Sequence, residues 1–149
     1  MRELVFALEF KGTAAPVEGA SNRLRAKTSA TDQTLRTVLK PDGPQVGIDR
    51  SGADTAVFES EVEIVAEGAF LESGSIAYGA AGKVTFETVG RGMLGPSPMP
   101  GVQRGAVIWE VTGGDGRFRG AQGLITSNFT VGPTGEVVDD HFVRLYLPS

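Results

Sequence analysis

The sequence predicts an all-β protein: a closed or nearly closed antiparallel β-barrel of about eight strands around a small central cavity. Three observations carry this. Apolar and polar residues alternate through most of the chain, the period of a strand with one buried face. The 21 glycines and 8 prolines fall largely between these alternating runs, where turns are needed. Both ends read as strands and no strand–helix–strand rhythm is present, so closure into a barrel is the way to remove exposed edges. With 149 residues, the chain fits one domain, residues 1–149, around one core.

Taken in order, Leu4, Phe6, Leu8 and Phe10 alternate with Val5, Ala7, Glu9 and Lys11 in a first strand. Residues 12–21 hold Pro16 and Gly19 and read as loop. A weaker alternation follows over residues 23–30. Residues 31–40 fit two patterns: Leu35, Val38 and Leu39 have helical spacing, while Leu35, Thr37 and Leu39 alternate among β-branched neighbours. Strand is the preferred reading. Pro41-Asp42-Gly43-Pro44 stops it, and the stretch to Asp54 reads as loop.

Residues 55–70 form the longest periodic segment. Phe58, Ser60, Val62 and Ile64 share one face; Glu59, Glu61, Glu63 and Glu67 share the other, which reads as solvated. A cation site is the minority reading of that acidic row. Ile76 and Tyr78 belong to a short strand that turns at Gly79-Ala80-Ala81-Gly82 into residues 83–89, a hairpin. Pro96, Pro98 and Pro100 then favour an extended, stiff loop without strand pairing over residues 90–103, either packed on the barrel end or acting as a rim or lid. Strands follow over residues 104–112, 124–131 and 136–147, the last two joined by the turn Gly132-Pro133-Thr134-Gly135.

The totals exclude several function classes. Net charge is −4 without a Lys/Arg cluster, which argues against nucleic acid and anionic membrane as partners. Absence of cysteine removes disulfides, thiolate catalysis and Cys-ligated metals. With one histidine, no His-rich metal site can form, and neither metal nor cofactor is expected. Glu9 and Lys11 interrupt the first apolar run, so a cytoplasmic protein is the expectation.

Residues 113–123, Gly-Gly-Asp-Gly-Arg-Phe-Arg-Gly-Ala-Gln-Gly, sit between two apolar strands. They open no helix in a strand–helix–strand unit, so they fail as a dinucleotide fingerprint. They resemble the Gly-Gly-x-Gly-x-Phe-x-x-Ala-x-Gly signature of the allene oxide cyclase barrel superfamily, which includes the dirigent proteins and many uncharacterised bacterial proteins. Leu124 to Phe129 and Ile76 to Gly79 look most like those bacterial members. The resemblance implies an eight-stranded barrel with a central cavity, usually in a homo-oligomer. Plant members of the group cyclise reactive oxylipin epoxides or guide phenoxy-radical coupling. The motif is a folding signature. The cyclase's glutamate and water-holding asparagine, and the dirigent aspartates, have no matching positions here, so the fold transfers and the reaction does not.

Candidate chemistry rests on single residues. His141 shares a face with Val143, Leu145 and Leu147, and in the lumen it would be the natural general acid or base; the alternative is a satisfied structural histidine. Asp139, two residues back, either orients it or is solvated. Glu87 and Glu110 are lone carboxylates on largely apolar strands. Each is a usable acid or base if buried, and a surface charge if it faces out. Tyr78, Trp109 and Phe129 suit an apolar cavity wall, and Asn128 could hydrogen-bond a ligand. Two functions follow: a barrel that binds a small apolar molecule in its lumen, or a cofactor-free isomerase or cyclase that folds a reactive hydrophobic substrate and moves a proton. On either reading, His141→Ala is expected to leave the fold intact.

Overall fold

The computed structural model describes all 149 residues. Nine strands follow one another: β1 (Arg2–Pro16), β2 (Arg23–Lys40), β3 (Gly43–Ala66), β4 (Ala69–Tyr78), β5 (Lys83–Thr88), β6 (Gly92–Pro96), β7 (Gln103–Gly114), β8 (Gln122–Val131) and β9 (Glu136–Leu147). All pairings are antiparallel. Eight strands form a ring in the order β1-β2-β3-β4-β5-β7-β8-β9, which returns to β1 through twelve residue pairs from Arg2↔Leu147 to Thr13↔Glu136. β6 fills in between β4 and β7 beyond the end of β5. The expected all-β barrel is therefore the fold. No helix is long and apolar enough to cross a membrane.

Alternation decides which side chains enter the lumen. Phe10, Phe58, Ile76, Phe86, Trp109, Ile125, Val143 and Leu145 are buried inside, each from an alternating run. The acidic row of β3 faces out and is neutralised across the β2–β3 ladder by Lys27–Glu59, Arg25–Glu61 and Arg23–Glu63. That argues against the cation-site reading, since three of its four carboxylates already have a cation and Glu67 lies beyond the end of β3.

Three stretches differ from the sequence expectation. β1 runs on through the expected loop as far as Pro16, which pairs with Leu24; a proline at a strand's last residue forfeits little of the ladder. Residues 43–54 are strand, joined to β2 by a two-residue turn at Pro41-Asp42. Gly47, Gly52 and Pro44 hide the period there, but backbone pairing to β2 needs no side-chain pattern. Residues 92–96 pair with β4 and β7, so the Pro-rich segment is not an unpaired loop; only Pro98 and Pro100 lie outside a strand. Leu94 from this strand packs on the core.

The glycine-rich stretch makes a single 3-10 turn at Gly116–Phe118 that drops Phe118 into the core at 5% exposure. Gly116 has φ +56°, and a Cβ on Gly114 would meet the Phe118 carbonyl at 2.2 Å. Asp115 closes the turn by accepting the Lys83 N–H at 2.8 Å.

Candidate functional site

The barrel is closed at one end and splayed at the other. β1 pairs with β2 only from Lys11 to Pro16, and a bulge between Thr31 and Gln33 marks where β2 leaves the wall. Beyond it, residues 31–54 project as a two-stranded arm, paired with no further strand. Between β1 and the base of this arm lies an open cleft of about 360 Å³, walled by Phe6, Leu8, Ala56, Tyr78 and Phe118, with Asp32, Gln33 and Asp54 at its polar rim. Gln33 Oε1 accepts the Glu9 N–H at 2.7 Å, standing in for one missing ladder bond. Tyr78 lies edge-on to Phe6 at 5.1 Å and tilted against Phe118 at 5.4 Å. Its hydroxyl is buried without a partner, and burial pushes its pKa above the ordinary value.

Below the cleft an aromatic plug fills the lumen. Phe58 stacks on Phe86 at 5.4 Å, Trp109 packs against both, and the His141 ring lies 4.4 Å from Phe10. Under the plug is a buried polar cluster. Asp139 accepts Ser127 Oγ–H at 2.5 Å and shares a 2.9 Å hydrogen bond with His141 Nε2; His141 Nδ1 has no partner. Glu72 accepts Ser60 Oγ–H at 2.6 Å, and its backbone is clamped by Thr88, whose Oγ1 accepts the Glu72 N–H and donates to the Glu72 carbonyl. Burial, reinforced by the Asp139 charge, raises the Glu72 pKa to about 8, so the carboxyl is mostly protonated at neutral pH. The Trp109 Nε1 lies near enough to favour the charged form, yet makes no hydrogen bond of ordinary geometry. Glu72 is the one polar residue of a small cavity of about 70 Å³, lined otherwise by apolar groups including Phe70, Leu94 and Phe129.

The candidate residues therefore separate. His141 and Trp109 enter the lumen, Tyr78 walls the cleft, and Phe129 lines the Glu72 cavity against Phe70. Glu87, Glu110 and Asn128 do not enter the lumen. All three are exposed on the outer wall, with Glu87 directly opposite Glu110 and Asn128 opposite Asp140. The alternation that buries Phe86 and Trp109 turns their neighbours Glu87 and Glu110 outward. Glu72 is the residue that sequence reasoning misses. Its signal is the shared parity of Phe70, Glu72, Ile76 and Tyr78, which extends this strand back past Ser75.

No family model and no curated protein matches the chain in sequence. Among solved structures, the chain is similar to a pterocarpan synthase dirigent protein, with a TM-score of 0.65 and 12% identity over 99% of this chain and 89% of that one. The chain has a dirigent-like barrel fold. At 12% identity the likeness is one of fold alone. The dirigent side of the expected resemblance thus has structural support, while the cyclase and bacterial members gain none of their own.

Proposed function

We propose that this dirigent-like barrel binds a small, flat apolar molecule in the cleft between β1 and the arm. The observation that carries the reading is the cleft itself: about 360 Å³ open to solvent, with three aromatic rings as its wall and carboxylates only at its rim. Most of the lumen is filled by side chains, so the ligand lies at the lumen's splayed end rather than along its axis. Phe6, Tyr78 and Phe118 supply ring faces and edges; Asp32, Gln33 and Asp54 can fix a polar substituent of the ligand. The fold neighbour, named for pterocarpan synthesis, supports a templating role for such a cleft. Titration with the apolar dye 1-anilinonaphthalene-8-sulfonate tests the site. Saturable 1:1 binding that weakens at least about tenfold in Tyr78→Ala and is unchanged in Glu110→Ala is expected. Binding that ignores Tyr78→Ala overturns the assignment.

One observation favours a second reading, a cofactor-free isomerase or cyclase. Glu72 is a mostly neutral carboxylic acid at pH 7 facing a small apolar cavity, the condition a general acid requires. Turnover of a panel of hydrophobic epoxides, followed by chromatography, is its assay. Glu72→Gln should abolish turnover and spare dye binding in the cleft; turnover that survives the substitution sinks this reading.

A further inference from the structure

Two carboxylates stand at the rim of the cleft, and the fold makes a place for each. Asp32 lies at the bulge where β2 leaves the wall, and its Oδ2 occupies space over Gly52 that a Cβ there would fill. Asp54 is its counterpart on β3, next to Thr55, which pairs with Thr31. The Asp54 carboxylate rests on Gly79, where a Cβ would again collide with it. It accepts the Thr55 N–H at 2.9 Å and the Ala80 N–H at 3.3 Å. A side chain at either glycine would displace one of the two charges.

Neither carboxylate has a cation. No lysine or arginine lines the cleft. Asp32 and Asp54 take part in none of the chain's ion pairs, and Arg50, opposite Gln33 across the arm, reaches neither. On the same two strands, inside the barrel wall, Glu59, Glu61 and Glu63 are each matched by a lysine or arginine. Two unmatched negative charges at one mouth, on a chain of net charge −4, attract cations and repel anions. The wall beneath favours the same sign. Phe6, Tyr78 and Phe118 are aromatic rings, whose faces attract a cation held within about 6 Å of a ring centroid. The Tyr78 hydroxyl oxygen, buried with no partner in the chain, has lone pairs free to accept an N–H.

We infer that the ligand of the cleft is an organic cation: a flat apolar body on the aromatic wall, carrying a protonated amine held by Asp32 and Asp54. The inference rests on the cleft being the binding site. A ligand with a neutral substituent leaves both carboxylates unmatched, and an anionic one meets repulsion at the rim.

The test titrates the full chain, by calorimetry, with three probes that share one ring system: naphthylmethylammonium, naphthylmethanol and naphthoate. The ammonium should bind at least about tenfold more tightly than the alcohol, with naphthoate weakest. Added salt should narrow the gap. Asp32→Asn should weaken the ammonium about threefold or more, leave the alcohol unchanged and tighten the anionic dye. Adding Asp54→Asn, which keeps an oxygen to accept the Thr55 N–H, should erase the remaining preference. Both positions are exposed, so the fold should survive, as far-ultraviolet circular dichroism will show. Ammonium and alcohol that bind equally tightly, and that both weaken in Tyr78→Ala, overturn the inference and leave the cleft standing. An ammonium preference undiminished in the double variant also overturns it. Binding of all three probes that ignores Tyr78→Ala overturns the cleft assignment, and the inference with it.

Discussion

Glu72 and His141 sit within the same buried cluster but respond differently to substitution. The folded state holds the Glu72 proton to a pKa of about 8, against 4.5 for an ordinary glutamate. Between those values the folded chain binds a proton that the unfolded chain has released. The contribution of Glu72 is therefore fully present below about pH 4.5 and is lost as pH rises toward 8, a cost of about 3 kcal/mol by pH 7. Glu72→Gln should remove this slope and leave the protein more stable than the wild type at pH 8, with little change at pH 4.5. Urea unfolding at the two pH values measures it. His141 was expected to be dispensable for folding, and its geometry argues the opposite. The side chain has no solvent exposure, packs against Phe10, Phe58 and Trp109, and holds Asp139. His141→Ala leaves a void and an under-satisfied carboxylate, and should lower stability by about 3 kcal/mol in the same unfolding assay. A loss below about 1 kcal/mol would mean that water replaces the ring without penalty.

Among the elements, the arm depends least on the barrel. Its pairings from Gln33↔Arg50 to Lys40↔Gly43 lie beyond the bulge, and the β3–β4 ladder starts only at Ala56. Replacing residues 34–49 with a two-residue Asn-Gly turn should shift the melting temperature by no more than about 5 °C. The three ion pairs across β2–β3 are likewise marginal, being exposed to solvent. Glu61→Ala should cost under about 1 kcal/mol, as thermal unfolding would show. These elements also mark how far sequence reasoning reaches. Runs with one buried face, such as Phe58-Ser60-Val62 and Val143-Leu145-Leu147, declare their orientation through period two. The arm strand at residues 43–54 has no buried face to declare, and β6 is too short to show a period. Glu72 was overlooked because a carboxylate at an inward position breaks the apolar pattern by which inward positions are recognised.

For the whole molecule, ring closure governs both site and folding. The lumen is divided by the Phe10, Phe58, Phe86 and Trp109 plug into a solvent-open aromatic cleft and a smaller apolar cavity beside one acid. That division was not legible in the sequence, because alternation says which residues face inward and not how far their side chains fill the space. Closure requires β1 to find β9, the strand furthest from it along the chain, with Met1 reaching Ser149. Such non-local pairing predicts refolding in milliseconds to seconds rather than microseconds, which stopped-flow circular dichroism would time. Trp109 at the centre of the plug has a consequence of another kind. It is the chain's only tryptophan, fully shielded from water and in contact with the rings of Phe58, Phe86 and His141. Its emission, excited apart from the two tyrosines, should lie toward the blue and shift red when the barrel opens, so the protein carries its own optical gauge of whether the lumen is intact.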